Sequence, residues 1–116
     1  MSSRLPANEA FLRLVGSKST SPKQRREVLR TASNEQVKSL CECAYNILKR
    51  NVPVTPAQLQ DLRRHKKLMY MLADRSVPVD AKRRRIQQRG GFIVALLRPI
   101  ASALLGALLS AGSGGR

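Results

Sequence analysis

Val37, Leu40, Cys41, Ala44, Ile47 and Leu48 recur at i, i+3, i+4 and i+7 spacing, the stripe of a helix that turns one face to a core. The spacing predicts a helix over about 34–50, with Lys38, Glu42, Asn46, Lys49 and Arg50 on the far side and Tyr45 at the border. A second set, Leu59, Leu62, Met69, Leu72 and Ala73, predicts a helix over about 56–74 that carries Arg63, Arg64, Lys66 and Lys67 in its middle. Val28 and Leu29 give a shorter helix, about 22–32, an apolar edge of its own. Short connections make consecutive helices antiparallel neighbours, so residues 21–75 are expected to form a small three-helix bundle in an all-α chain.

The starts of these helices carry their own signals. Ser21-Pro22-Lys23-Gln24, Ser33-Asn34-Glu35-Gln36 and Thr55-Pro56-Ala57-Gln58 each place a hydroxyl at the cap and Gln three residues on. That is the capping box, in which side chain and backbone satisfy each other's orphan donors, and two of the three add Pro at the first helical position. Asn51 to Pro56 closes the 34–50 helix, because Pro53 and Pro56 disfavour α conformation just before them. Residues 1–20 hold Leu5, Phe11, Leu12, Leu14 and Val15 without a clean stripe. They are expected to form an arm, or a weakly docked helix over about 6–15, ahead of a Gly16–Thr20 linker.

Past Val77-Pro78-Val79 the pattern changes. Asp80 can cap a short helix over 81–89 in which Ile86 is the single large apolar residue among Lys82, Arg83, Arg84, Arg85 and Arg89. Such a segment, 76–91, has almost nothing to bury and is expected to be ordered by a partner. Gly90-Gly91 should then break the helix, and residues 92–116 form an apolar tail whose run from Phe92 to Ala111 carries one charge, Arg98. Its length would suit a bilayer, although Arg98-Pro99 argues against a simple span. Phe92, Leu96, Leu97, Ile100, Leu104, Leu105 and Leu108 are the candidates for membrane contact or self-association.

Charge narrows the class of partner. Among 116 residues, 22 Lys+Arg stand against 7 Asp+Glu, for a net charge of +15. The excess is spread along the chain, which suits phosphate neutralisation on a polymer. Arg63, Arg64, Lys66, Lys67, Lys82, Arg83, Arg84, Arg85 and Arg89 are the candidate nucleic-acid contacts. With 3% aromatic residues and no Trp, base stacking has little to work with, so binding should follow the backbone and be non-specific. Cys41 and Cys43 project about 200° apart on a helix, so they neither pair nor chelate one metal; a packed Cys41 and a partly exposed Cys43 are expected. His65, alone among cations, reads as solvated. No carboxylate pair or phosphate loop suggests an enzyme or a cofactor. Met1 to Gly16 has no apolar core of a leader, which points to synthesis in a reducing compartment.

Arg89-Gly90-Gly91-Phe92 and the apolar residues through Ala107 resemble the C-terminal part of the adenovirus core protein X (mu) precursor. The run from Ala44 through Asn51-Val52-Pro53-Val54-Thr55-Pro56 to Leu59, continuing to the glycine pair, looks like a small basic protein of Maverick (Polinton) elements and adintoviruses. The resemblance implies a virion core protein that condenses double-stranded DNA, found in virions and the host nucleus. It also implies cleavage at Gly90-Gly91-Phe92, between Gly91 and Phe92; the family's apolar residue three before the second Gly is Gln88 here. The partners expected are double-stranded DNA and either capsid protein or a second copy. A membrane-active role for the tail is the competing expectation.

Overall fold

The structure is a computed structural model that describes residues 4–17 and 19–100. Among them eight helices follow one another: α1 (Arg4–Ala7), α2 (Glu9–Gly16), α3 (Pro22–Arg30), α4 (Asn34–Leu48), α5 (Pro56–Arg63), α6 (Lys66–Ala73), α7 (Val79–Gln88) and α8 (Gly90–Ile100). All-α is correct and the three-helix bundle is not. The 21–75 region holds four helices, α3 to α6, and they do not close a core by themselves; the core is completed by the segments on either side.

The capping boxes form as read. Ser33 Oγ accepts from the Gln36 N–H at 3.1 Å while the Ser33 N–H donates to Gln36 Oε1 at 2.8 Å. The same reciprocal pair opens α3 at Ser21 and Gln24 and α5 at Thr55 and Gln58. Asp80 lies in the first turn of α7 instead of capping it, and Pro78 occupies the cap position.

The C-terminus of α4 ends in a Schellman arrangement. The Asn51 N–H donates to the Asn46 carbonyl at 2.9 Å and the Arg50 N–H to that of Ile47 at 3.0 Å. Arg50 supplies the left-handed residue, at φ 60°, where a side chain costs energy that glycine would not. Asn51 Nδ2 also donates to Asn46 Oδ1 at 3.0 Å.

α8 fills the interior. Phe92, Ile93, Leu96, Leu97 and Ile100 are buried, and the helix packs on α2, α3, α4, α5 and α7. Apolar tail residues 92–100 are therefore core, and glycine propensity lost to packing: Gly90 and Gly91 lie within α8, the chain breaking instead at Arg89 (φ −126°, ψ 49°). Residues 1–20 are no loose arm either. Leu5, Phe11, Leu12 and Val15 are buried, and α2 approaches α8 so closely that a Cβ on Gly16 would stand 3.0 Å from Leu97 Cβ and Cδ1. Arg25 of α3, itself buried, locks this corner: Nε donates to the Val15 carbonyl at 2.8 Å, and Nη2 to those of Ser17 and Thr20, both at 3.0 Å. A cation on the last carbonyls of α2 also opposes the negative end of its dipole.

Three further expectations are corrected. The 56–74 helix breaks at Arg64–His65 into α5 and α6, which shifts the stripe and leaves Leu59 43% exposed. Cys43, not Cys41, is the packed thiol, because α4 is covered over a broad arc by α1, α2, α6, α7 and α8. The 81–89 segment has a buried side after all, formed by Lys82 and Ile86.

In chemical denaturation, Leu96→Ala should lower the unfolding free energy by about 3 kcal/mol, whereas Leu59→Ala should cost no more than about 0.5 kcal/mol. Arg50→Gly should raise it by about 1 kcal/mol by relieving the left-handed residue. Equal losses at Leu59 and Leu96 would contradict the position of α8.

Candidate nucleic-acid interface

Two breaks in the helical course meet at one place. The first, at Arg64–His65, separates α5 from α6; the second, at Arg89, separates α7 from α8. His65 packs its ring against Phe92 at a centroid distance of 5.2 Å, tilted by 56°. Arg64 and Arg89 both act on the imidazole electrostatically, so one cation from each basic run stands beside it. The two runs, separated in sequence, adjoin in space at this contact.

Around the junction the cations face solvent. Arg63, Arg64, Lys66 and Lys67 are exposed at the end of α5 and the start of α6, and Arg84, Arg85 and Arg89 are exposed along α7 and its end. None of these seven takes part in an ion pair among the described residues. Most carboxylates are engaged elsewhere, Asp61 of α5 being the exception near the junction. Glu9 pairs with Arg13 at 2.5 Å, Glu27 with Arg30, and Glu35 and Glu42 with Arg4 at 3.2 and 3.6 Å. Asp61 sits 4.0 Å from Arg98 of α8, so Arg98 is exposed beside a carboxylate and not set in an apolar surface.

The remaining two candidates lie apart from the exposed set. Arg83 is half-buried and tied to the α3–α4 connection, donating through Nη1 to the Ala32 carbonyl at 3.2 Å and through Nη2 to Asn34 Oδ1. Lys82 is buried and faces a cleft on another part of the molecule. Phe92, Leu96, Leu97 and Ile100 are interior, while Leu104, Leu105 and Leu108 lie outside the described residues. Gly91–Phe92 falls in the first turn of α8 with Phe92 buried, so a protease would have to unwind that turn to reach the bond. Among the described residues no helix is long and apolar enough to cross a membrane.

His65 is the residue that sequence reasoning underrated. Nδ1 is buried with no hydrogen-bond partner among the described residues. Burial, then the charges of Arg89 and Arg64, hold the imidazole pKa below its ordinary 6.5, with Asp61 opposing weakly. Its position among cations was legible; its packing on Phe92 required the tail to enter the core. No protein-family model, curated protein or solved structure matches the chain.

As the chain's single histidine, His65 can be followed alone by proton NMR, and its midpoint should lie below 6.5. Because the unfolded chain then binds the proton more readily, the His65 contribution to stability should be level above pH 6.5 and fall as pH drops from there through the folded midpoint. A phosphate placed beside Arg64 and Arg89 should raise that midpoint. A midpoint at or above 6.5 in the free protein would exclude this environment.

Proposed function

We propose that the protein is a non-enzymatic structural protein that binds and condenses double-stranded DNA without sequence preference, in the manner of a virion core protein. The observation that carries the reading is the segregation of charge. Seven exposed cations lie on the α5–α6 junction and along α7 to its end, with Arg64 and Arg89 meeting at His65, and none is in an ion pair among the described residues, while most carboxylates are engaged on α2, α3 and α4. Such a surface gains by releasing counterions from a polyphosphate, and that gain is independent of base sequence. Tyr70 is the one exposed Phe, Tyr or Trp that shares a cleft with these cations, beside Arg63 and Lys66; a single ring offers no platform for successive unpaired bases, which favours duplex over single strands.

The mode of condensation follows from the size of the protein. Each copy covers a short stretch of duplex and lowers its charge, so many copies must bind before neighbouring segments approach. Apolar residues 92–100 are engaged in the core, which disfavours the membrane-active reading, since insertion would require α8 to leave the bundle. The carbonyl-capping Arg25 and the carboxylate-paired Arg4, Arg13 and Arg30 contribute to the fold before they contribute to binding.

Full-length protein titrated with duplex DNA at increasing salt should give a steep linear fall of log affinity with log salt. Replacing Arg63, Arg64, Lys66 and Lys67 together by Gln should reduce the slope by about 3 and leave the circular dichroism unchanged. A flat salt dependence, with tail-dependent flotation on anionic vesicles, would replace this reading by the membrane one.

A further inference from the structure

A second basic feature lies apart from the exposed junction. Between α4, α7 and the α6–α7 connection is a cleft of about 700 Å³. Lys82 lines it although only 6% of the residue is exposed. No carboxylate lies within ion-pair distance of its ammonium among the described residues; the Cys41 thiol lines the same cleft. Asp74 is close enough to feel the charge, but its Oδ1 accepts from the Ser76 N–H at 2.9 Å and Oγ at 2.7 Å, and it does not line the cleft. Burying an ammonium without a carboxylate in contact is costly, so this lysine can gain from an anion in the cleft.

The rest of the lining repeats the bias. Arg4, Lys38 and Arg75 join Lys82, and Glu42, the one acidic residue of the lining, is held by Arg4 at 3.6 Å. Glu35, outside the lining, reaches Arg4 at 3.2 Å and Lys38 at 3.8 Å, so Lys82 and Arg75 are the two cations of the lining without a carboxylate partner among the described residues. Two such cations can each take one phosphoryl group of a diphosphate, a better match than a monovalent carboxylate. Leu72, Val77 and Val79 form an apolar wall beside the cations, against which an organic substituent could lie. Arg63, Arg64, Lys66 and Lys67 do not line this cleft, so the site is separate from the DNA surface.

We propose that the α4–α7 cleft is a binding site for one diphosphate-bearing ligand, with Lys82 at its floor and Lys38 and Arg75 at its mouth. The shared chemistry is the diphosphate; inorganic pyrophosphate and a nucleoside diphosphate are its two sources. A ligand here would neutralise Lys82 and hold α7 to α4, which couples occupancy to the seating of the helix that carries Arg84 and Arg85.

The test is calorimetric titration of the full chain with pyrophosphate and with ADP at 150 mM salt. Both should bind one per chain, and tighter ADP binding would assign the site to nucleotides, equal affinity to the inorganic ion. Lys82→Met should weaken binding about tenfold or more, while Arg63→Gln with Lys66→Gln should change it less than about twofold. Should Lys82→Met fail to fold, Lys38→Gln with Arg75→Gln carries the same expectation at exposed positions. Pyrophosphate should also slow maleimide labelling of Cys41, with buried Cys43 as the unreactive reference. Several equivalents bound per chain, affinity unchanged by either cleft variant, or unprotected Cys41 would overturn the proposal.

Discussion

Burial of Phe92, Ile93, Leu96, Leu97 and Ile100 is the interaction on which the remaining structure depends. A chain with 3% aromatic residues and no Trp must fill its interior with aliphatic side chains, and few segments outside α8 hold enough of them together. At roughly 2 kcal/mol per fully buried large side chain, these five contribute on the order of 10 kcal/mol. Small domains retain about 5–15 kcal/mol in total. Removing α8 would thus take away the margin itself, and the five helices packed on it would lose a common partner. The same arithmetic explains why Gly90 and Gly91 are helical. Two glycines cost about 2 kcal/mol relative to alanine, far less than the burial they permit.

Core and candidate interface share a residue in Phe92. Its ring is part of the interior and is also the surface against which His65 packs. That contact sets the end of α5 beside the end of α7, so the position of Arg64 relative to Arg89 is determined by apolar packing. This is a sound way to bring like charges together. Coulomb repulsion between exposed cations is weak in water and screened by salt, whereas the packing that opposes it is several times larger. The cost appears where solvent is excluded, at the imidazole, whose protonation would add a third positive charge next to two others.

The starts of α3, α4 and α5 were legible in the sequence because capping is local, whereas Asp80 fell inside the first turn of α7. Ser21, Ser33 and Thr55 meet their Gln partners within one turn, and no distant element has a say. Helix existence over 34–48 was legible for the same reason. What required the whole fold was the choice of neighbour. An apolar run such as 92–100 has the same composition whether it enters lipid or lies at the centre of a bundle. The N-terminal residues lacked a single stripe because Leu5, Phe11, Leu12 and Val15 belong to two helices, α1 and α2, divided at Asn8. Leu59 was assigned to the core by extending one periodicity through Arg64–His65, where the helix breaks and the phase is reset. The cysteines were assigned from a narrow stripe, but α4 is covered on more than one side, and its buried arc takes in Ser39, Cys43 and Asn46.

The cationic residues divide by what surrounds them more than by where they fall in sequence. Arg25 and Arg83 give their guanidinium donors to carbonyl and amide oxygens of helix ends and connections, a use that suits a planar group with several fixed donors. Lys82, one residue before Arg83, is buried and lines a cleft. Arg84 and Arg85, the next two, face water. Four consecutive basic residues therefore have three different environments, because a helix rotates each by about 100° from the last. A charge run read as one patch overstates what one face can present. Under the proposed reading, the number of phosphates the protein can contact is better reckoned from the exposed cations that lack a carboxylate than from its net charge of +15.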